Sequence, residues 1–309
     1  MYYYAYSKYL MDKFGARTHR LSLNAGITCP NKDGSLSSEG CVFCNEEAFA
    51  PNAATNLSLR DQIERGMEYA RERFRAEKFI AYFQTGSNTN APAPELKKRF
   101  DVIKEYPDIA GLSVSTRPDC VDEEKLDLIA AYTEGYDTWL ELGVQTMHEK
   151  SLVWLGRRHG VGDSEKAIKM ARNKGIKVGA HVILGIPGES SDDMNQTAHM
   201  LSEFAVHGVK IHVLHVLKNT PLEKMLESKK LPLMSIYDYV NCACDFLERL
   251  RPDCVVLRLV SDAREGSLIA PGWINEKQKV IEAVNKEFDR RGTEQGSKIY
   301  EKRMRVRQL

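Results

Sequence analysis

Hydrophobic residues along the chain follow two patterns, one typical of buried strands and one typical of amphipathic helices. Short runs rich in β-branched and aromatic residues predict strands at 19–25, 79–83, 110–115, 138–144, 177–184, 209–216 and 254–260. Between and after them, a period near 3.6 predicts helices at about 57–76, 94–106, 122–133, 163–174, 191–207, 235–250 and 275–291. This repeated strand–helix order predicts an α/β fold around a parallel sheet.

The residues that follow the strands indicate how the sheet is arranged. Polar or glycine residues come directly after most of the predicted strands, among them Cys29, Gly86, Arg117, Gln145 and Gly185. In a parallel barrel the carboxyl ends of all strands form one rim, where active sites are built, whereas an open sheet spreads them along an edge. The sequence therefore favours a barrel with its site at the rim.

Alternation within the strands predicts a polar barrel interior. Glu141, His181 and Ser115 each alternate with apolar neighbours, so they lie opposite the face that meets the helices. A polar group buried without a partner costs about 1–3 kcal/mol. We therefore expect a polar ligand, water or metal to satisfy these groups, and Glu141 to contact either an arginine or the substrate.

Composition and charge narrow the setting. The 309 residues include 44 basic and 43 acidic side chains, so no global field indicates nucleic-acid binding. Two basic runs, "KFGARTHR" (13–20) and "RMRVRQL" (303–309), are either solvated surface or phosphate contacts. The apolar runs are strand-sized and the N-terminus lacks signal-peptide features, which predicts a cytoplasmic protein without a membrane segment. With no repeat or linker, we expect a single domain over 1–309.

Three of the seven cysteines lie in one loop after the first strand, "CPNKDGSLSSEGCVFC". Their spacing is C-x11-C-x2-C, formed by Cys29, Cys41 and Cys44. Structural zinc needs four ligands, and a [4Fe–4S] cluster normally takes four thiolates. Three thiolates leave one iron open, which suits catalysis; zinc and unligated thiols are the alternatives. The other cysteines indicate core thiols, with a second cluster as the alternative: Cys120, Cys242, Cys244 and Cys254.

The sequence resembles the radical S-adenosylmethionine (SAM) superfamily, in the branch that contains the Elongator catalytic subunit. The matching segments are the cysteine loop with Phe43 before its last cysteine, "STRPDCV" (115–121), "LELGVQT" (140–146), "GRRH" (156–159) and "ILGIPGE" (183–189). The first cysteine gap departs from the usual C-x3-C but is typical of this branch. The stand-alone YhcC/YtqA family, with its MnmL branch, is similar over almost the whole chain, including "RLVSDAREGSLIAPGW" (258–273).

The resemblance implies a parallel (β/α)6 partial TIM barrel over about 17–220, with a C-terminal extension over about 221–309. It implies a [4Fe–4S] cluster on Cys29, Cys41 and Cys44, whose open iron takes SAM and yields methionine and a 5′-deoxyadenosyl radical. Matched SAM contacts are Phe43 and Gly185 for adenine, Gly86 and Ser115 for the amino group, Gln145 and Arg157 for ribose and carboxylate, and His181 for the ribose hydroxyls. Structural roles are the alternative for Gln145, Arg157 and His181.

The family's chemistry implies an enzyme that modifies the C5 side chain of the tRNA wobble uridine. The implied partners are tRNA and a small electron-donor protein of the flavodoxin or ferredoxin type. Radical chemistry on a small metabolite is one alternative, and a non-catalytic iron–sulfur redox module is another. The sequence leaves open the atom attacked, the electron donor and the oligomeric state.

Overall fold

Parallel strands form the centre of the molecule. The computed structural model describes residues 2–45, 57–228, 231–261, 263 and 266–299. The strands of the main sheet are β1 (Thr18–Leu23), β2 (Lys78–Phe83), β3 (Ile109–Thr116), β4 (Asp137–Gln145), β5 (Lys177–Leu184), β6 (Gly208–Val213) and β8 (Val255–Arg258). A separate antiparallel pair is formed by β7 (Val216–Leu217) and β9 (Leu268–Ala270).

Helices connect most of these strands. They are α1 (Tyr6–Phe14), α2 (Leu59–Phe74), α3 (Ala93–Phe100), α4 (Glu123–Ala130), α5 (Glu149–Trp154), α6 (Val161–Asn173), α7 (Ser191–Glu203), α8 (Pro221–Glu227), α9 (Ile236–Glu248) and α10 (Lys277–Arg291). Short 3-10 helices cover Asp101–Glu105, Pro118–Cys120 and Gly272–Asn275. Local sequence sets the helix starts: Ser58 and Ser190 each form a capping box with an aspartate three residues later. In the described ranges, no helix combines the length and the apolar character needed to cross a membrane.

The strand order decides between the open sheet and the barrel. The main sheet runs β1-β2-β3-β4-β5-β6-β8, so neighbours follow chain order without the reversal of a doubly wound sheet. Right-handed crossovers then place the helices on one face, and the sheet curls with that face outward. The predicted partial parallel barrel is confirmed. Its last strand, β8, comes from the segment that we expected as the extension; the single-domain organisation stays a prediction.

The apolar core lies between the helices and the outer face of the sheet. Leu140, Leu142 and Val144 of β4 are fully buried there, and so are Val178 and Ala180 of β5. Each buried side chain of leucine size stabilises the fold by about 1.5–3 kcal/mol. The alternating residues of the same strands face the interior of the barrel, which places their polar groups together.

Candidate functional site

The clustered cysteines line one cavity at the carboxyl ends of the first five strands. Its volume is about 160 Å3. The lining includes Cys29, Cys41, Phe43, Cys44, Gly86, Ser115, Arg117, Gln145, Arg157 and His181. We call it the cysteine cavity. Nine of the ten residues that the resemblance singles out therefore lie around a single space, although they come from separate loops and strand ends.

Local backbone hydrogen bonds shape the cysteine loop. The carbonyl oxygen of Cys29 accepts from the amides of Lys32 and Asp33 at 2.8 and 3.0 Å, and the Cys44 amide donates to the carbonyl of Cys41 at 3.0 Å. The turns at both ends bring the thiols to the cavity. Among the residues that the structure describes, no three His, Cys, Asp or Glu side chains converge on the position of a single metal ion.

The sulfur of Cys41 lies between two side-chain donors. Arg157 donates from Nη1 and Asn31 from Nδ2, each 3.3 Å from Sγ. Cys41 is 5% exposed, so both contacts act where water screens them poorly. Sulfur bound to a metal carries negative charge, which a neighbouring cation and a hydrogen-bond donor stabilise. These contacts therefore suit a metal-bound sulfur.

The guanidinium of Arg157 is held in place on its other sides. Nε donates to Nε2 of His159 at 3.1 Å, and Nη2 donates to the carbonyl of Gly143 at 2.8 Å. Burial and the adjacent Arg157 lower the pKa of His159 to about 4, so its ring is a neutral acceptor at pH 7. His159 thus positions Arg157, a role that the sequence reasoning did not give it.

A second guanidinium faces the same cavity. Arg117 pairs with Asp119 at 2.7 Å and donates from Nη2 to the carbonyl of Arg157 at 2.8 Å. Its Nη1 atom is buried and has no hydrogen-bond partner among the described residues. Such an orphaned donor is costly unless an acceptor binds beside it. Three thiols and two cations fit an anionic iron–sulfur cluster and the carboxylate of SAM.

Gly86 occupies a position that no other residue fits. Its φ is +75°, and an added Cβ would lie 2.1 Å from the carbonyl oxygen of Ile27, which is backbone and cannot swing away. The Asn88 amide holds the rest of this loop by donating to the carbonyls of Phe83, Thr85 and Ser115 at 3.0–3.1 Å. The loop therefore packs directly against the segment that leads into the cysteines.

Gln145 ends β4 in a left-handed conformation, with φ of 69°. A non-glycine residue in this region costs of order 1–3 kcal/mol and persists only where the surroundings impose it, often at functional sites. Gly143 leaves room for the side chain of Gln145, because a Cβ at position 143 would lie 3.0 Å from Nε2 of Gln145 and from Nη2 of Arg157. Gln145 is thus aimed into the cavity by its backbone.

The chain itself satisfies the carboxylate of Glu141, and our expectation of a ligand, water or metal elsewhere in the polar interior stays a prediction. Glu141 is fully buried and accepts hydrogen bonds from Arg20, from Ser113 Oγ at 2.7 Å and from His181 Nε2 at 2.7 Å. Lys210 Nζ lies 3.8 Å from the carboxylate. Although burial opposes it, these cations hold the pKa of Glu141 well below its usual range.

Arg20 was expected in a basic surface run, and for this residue the expectation is wrong. Its side chain is 16% exposed and pairs with Glu141 inside the barrel. The reason is the alternation of β1, in which Leu21 and Leu23 face the core and Arg20 faces inward. His181 is also interior: burial and Lys210 lower its pKa to about 4, so it is neutral beside the carboxylate.

Gly185 lies apart from the other predicted contacts and does not belong to the cavity lining. With φ of +81°, it packs against Met234, whose sulfur would lie 2.6 Å from an added Cβ.

The cysteines outside the loop are buried. Cys242, Cys244 and Cys254 lie in the apolar core, as the core interpretation predicts. Burial raises the pKa of Cys244 and Cys254 to about 12.

Comparison with known proteins agrees with this geometry. The chain matches the radical SAM superfamily over residues 35–201 and the radical SAM C-terminal domain over 206–290. YtqA of Bacillus subtilis is 36% identical over 298 residues, which cover 95% of this chain and 92% of YtqA. A tRNA uridine(34) acetyltransferase of Methanocaldococcus jannaschii is 30% identical over 145 residues, 45% of this chain and 26% of that protein.

The fold has a close counterpart among solved structures. The archaeal Elp3 of Methanocaldococcus infernus superposes with a TM-score of 0.67 at 17% identity, over 93% of this chain and 68% of Elp3. The family match confirms the expected cofactors, a [4Fe–4S] cluster and SAM. Because the match to YtqA runs through the cysteine loop, the barrel and the C-terminal region alike, the chain belongs to the YhcC/YtqA family of the radical SAM superfamily.

Proposed function

We propose that Cys29, Cys41 and Cys44 hold the cluster, that SAM binds beside it in the cysteine cavity, and that the enzyme acts on the C5 side chain of the tRNA wobble uridine. One observation carries the proposal: the three thiols share a cavity with six of the seven residues matched to SAM contacts, all but Gly185. When bound and reduced, the cluster supplies the electron that cleaves SAM to methionine and a 5′-deoxyadenosyl radical. The chain's own residues bind, orient and shield these groups.

The charges of the cavity support distinct roles for its side chains. Arg157 and Arg117 supply positive potential beside the thiols, and the free Nη1 donor of Arg117 suits a carboxylate oxygen. Gly86 brings backbone close to the cysteine segment, where the amino group of methionine is expected. Gln145 and Ser115 offer hydrogen bonds for SAM. The interior position of His181, already paired with Glu141, leaves its other ring nitrogen for the ribose.

The tRNA substrate is supported by the partial match to a tRNA uridine(34) acetyltransferase, which covers less than half of this chain. The basic run at 303–309 lies outside the residues that the structure describes. An electron donor of the flavodoxin or ferredoxin type, the cytoplasmic location and the adenine contact of Gly185 stay predictions.

Two measurements test the proposal. Anaerobically reconstituted protein with dithionite should convert SAM to 5′-deoxyadenosine, measured by liquid chromatography. Mass spectrometry of tRNA nucleosides should then show that a deletion strain accumulates a wobble-uridine precursor, and that wild-type protein but not Cys41→Ala restores the mature nucleoside. Cleavage of SAM with unchanged tRNA nucleosides would favour a small metabolite as substrate. No cleavage under any reducing condition would favour a redox module.

A further inference from the structure

A second cavity adjoins the cysteine cavity on the side of β6 and β8. Its volume is about 150 Å3. The two cavities share Phe43, Gln84, Ser115, Gln145 and His181 in their linings. The second cavity adds polar side chains that the roles above do not use: Tyr82, Lys210, His212, His215 and Arg258. A group bound there lies next to the place proposed for SAM.

Three basic side chains stand in one row across the wall of this cavity. His181 of β5 is in register with Lys210 of β6, and Lys210 is in register with Arg258 of β8. Neighbouring strands are about 4.8 Å apart, so the three side chains stand side by side on the inner face. His212 follows on the same face of β6, and its ring centroid lies 5.9 Å from that of His181.

Among the residues that the structure describes, one carboxylate faces this row, that of Glu141, and it is already shared. Arg20 and His181 contact it directly, while Lys210 Nζ lies 3.8 Å away and donates to Tyr82 OH at 2.7 Å. Arg258 lines the cavity, and no ion pair or side-chain hydrogen bond joins it to another residue in the described ranges. Arg20 and Arg258 together outweigh Glu141 by one positive charge, before any charge on Lys210 is counted.

The pKa values of His212 and Lys210 agree with this excess of positive charge in the cavity wall. Burial, Arg258 and Lys210 lower the pKa of His212 well below its usual value. Burial likewise lowers the pKa of Lys210, with Arg258 and Arg20 acting in the same direction against Glu141. The side chains thus repel further protons, and a bound anion would relieve that repulsion.

We propose that the second cavity binds an oxyanion of the substrate, a carboxylate or a phosphate, between Arg258 and Lys210. The substrate class is therefore an anionic one, whose charged group anchors beside the SAM-binding residues. This inference rests on the proposed function in one respect, namely that the ligand of the cavity is the substrate. Arg258 is a binding residue whose guanidinium fork suits two oxygens of one anion.

Binding of three probes tests the proposal. Reconstituted, oxidised protein saturated with SAM is titrated anaerobically with uridine, 5-carboxymethyluridine and uridine 5′-monophosphate in a calorimeter. We expect at least one anionic probe to bind tenfold or more tightly than uridine. This preference should survive in Arg258→Lys and in the control Arg65→Gln, an exposed arginine on α2, and should fall below threefold in Arg258→Gln. The two anionic probes distinguish a carboxylate from a phosphate source.

Each outcome decides one question. Equal binding of all three probes to wild type, or an undiminished preference in folded Arg258→Gln, overturns the anion site. Circular dichroism checks that each variant folds. If Arg258→Gln does not fold, Arg258→Lys is compared with Lys210→Met, which removes the charge of the other proposed anion contact. The anion preference of Arg258→Lys should then exceed that of Lys210→Met. Production of 5′-deoxyadenosine is recorded separately, after the same preparations have been reduced with dithionite. Its absence counts against the proposed function, whereas its presence without anion preference counts against this inference alone.

Discussion

The guanidinium of Arg157 donates a hydrogen bond to the sulfur of Cys41, with Nη1 and Sγ 3.3 Å apart. Arg157 lies just after α5, which follows β4, whereas Cys41 lies in the loop after β1. The two residues are 116 positions apart in the chain and meet at the rim of the barrel. The contact places a permanent positive charge beside the sulfur of a predicted cluster ligand. It also makes the electrostatics of the cluster depend on a residue that is not itself a ligand.

Replacing Arg157 by glutamine should lower the reduction potential of the cluster. Reduction adds negative charge, which a neighbouring cation stabilises, so its loss favours the oxidised state. A hydrogen bond to a charged group contributes about 1.5–3 kcal/mol, or about 60–130 mV for one electron, and only the part that differs between the two states appears in the potential. We expect a shift of tens of millivolts in redox titrations followed by electron paramagnetic resonance.

The neighbouring residue provides the control for this experiment. Arg158 carries the same charge one position later, but its side chain is 50% exposed and pairs with Glu39 at 3.3 Å. Arg158→Gln should leave the potential unchanged within error, because water screens exposed charges. Equal shifts in both variants would show that net charge rather than the contact with Cys41 sets the potential.

Alanine in place of Cys29, Cys41 or Cys44 should abolish the cluster. Loss of any one thiolate leaves two protein ligands, so we expect iron content and the absorbance near 400 nm to fall by more than half, and 5′-deoxyadenosine to become undetectable. Cys242→Ala is the matched control, since Cys242 belongs to α9 and is buried in the apolar core. The assignment is wrong if Cys242→Ala loses iron as completely as the loop variants do.

Much of the candidate site could be predicted from the sequence, because residues alternate between the two faces of each strand and because polar residues stand at the strand ends. The pattern in β4 places Glu141 and Gln145 inward, and the structure agrees. The partner of Glu141 was harder to predict, because Arg20 is 121 residues away and meets it only when the sheet curls. The alternation of β1 indicates an inward Arg20, but the basic run around it favoured a surface interpretation. Lys210 is a similar case, since Val209 and Ile211 flank it on the core side.

Other features depend on tertiary contacts that no local pattern encodes. Gly185 ends its strand as expected, yet Met234 packs against it from a segment that follows α8. Helices α1, α5 and α8 were not predicted. Each buries a single apolar side chain, namely Leu10, Leu152 and Leu222, so no repeated apolar stripe marks the helix in the sequence.

Gly86→Ala should destabilise the protein and prevent SAM cleavage. The added methyl group would overlap the carbonyl of Ile27, which forces the loop away from the cysteine segment. Gly175→Ala is the control, because Gly175 has the same φ of +75° but no atom within 4 Å of an added Cβ. The control carries only the conformational cost, about 1 kcal/mol. Thermal melts should show a clearly larger loss for Gly86→Ala, and similar losses would contradict the collision.

Acid should destabilise the fold partly through His207, the residue before β6. Its Nδ1 atom accepts a hydrogen bond from the Val178 amide at 3.0 Å, which requires an unprotonated nitrogen. Burial and nearby cations, Arg172 first, lower the pKa of this ring to about 4 from an ordinary 6.5. The unfolded chain therefore binds a proton that the folded chain does not, so the free energy of unfolding falls as the pH drops from about 6.5 to about 4.

Two substitutions separate the titration of His207 from its hydrogen bond. Asparagine keeps an acceptor for the Val178 amide but does not titrate, so His207→Asn should retain the melting temperature at pH 7.5 and lose less of it at pH 5.0 than wild type does. Leucine neither titrates nor accepts, so His207→Leu should melt lower than His207→Asn by a similar amount at both pH values. Anaerobic thermal melts at the two pH values give the comparison. A pH dependence of His207→Asn equal to that of wild type would show that the ring does not titrate in this range. The acid sensitivity would then belong to other histidines whose pKa burial lowers, among them His159, His181, His212 and His215.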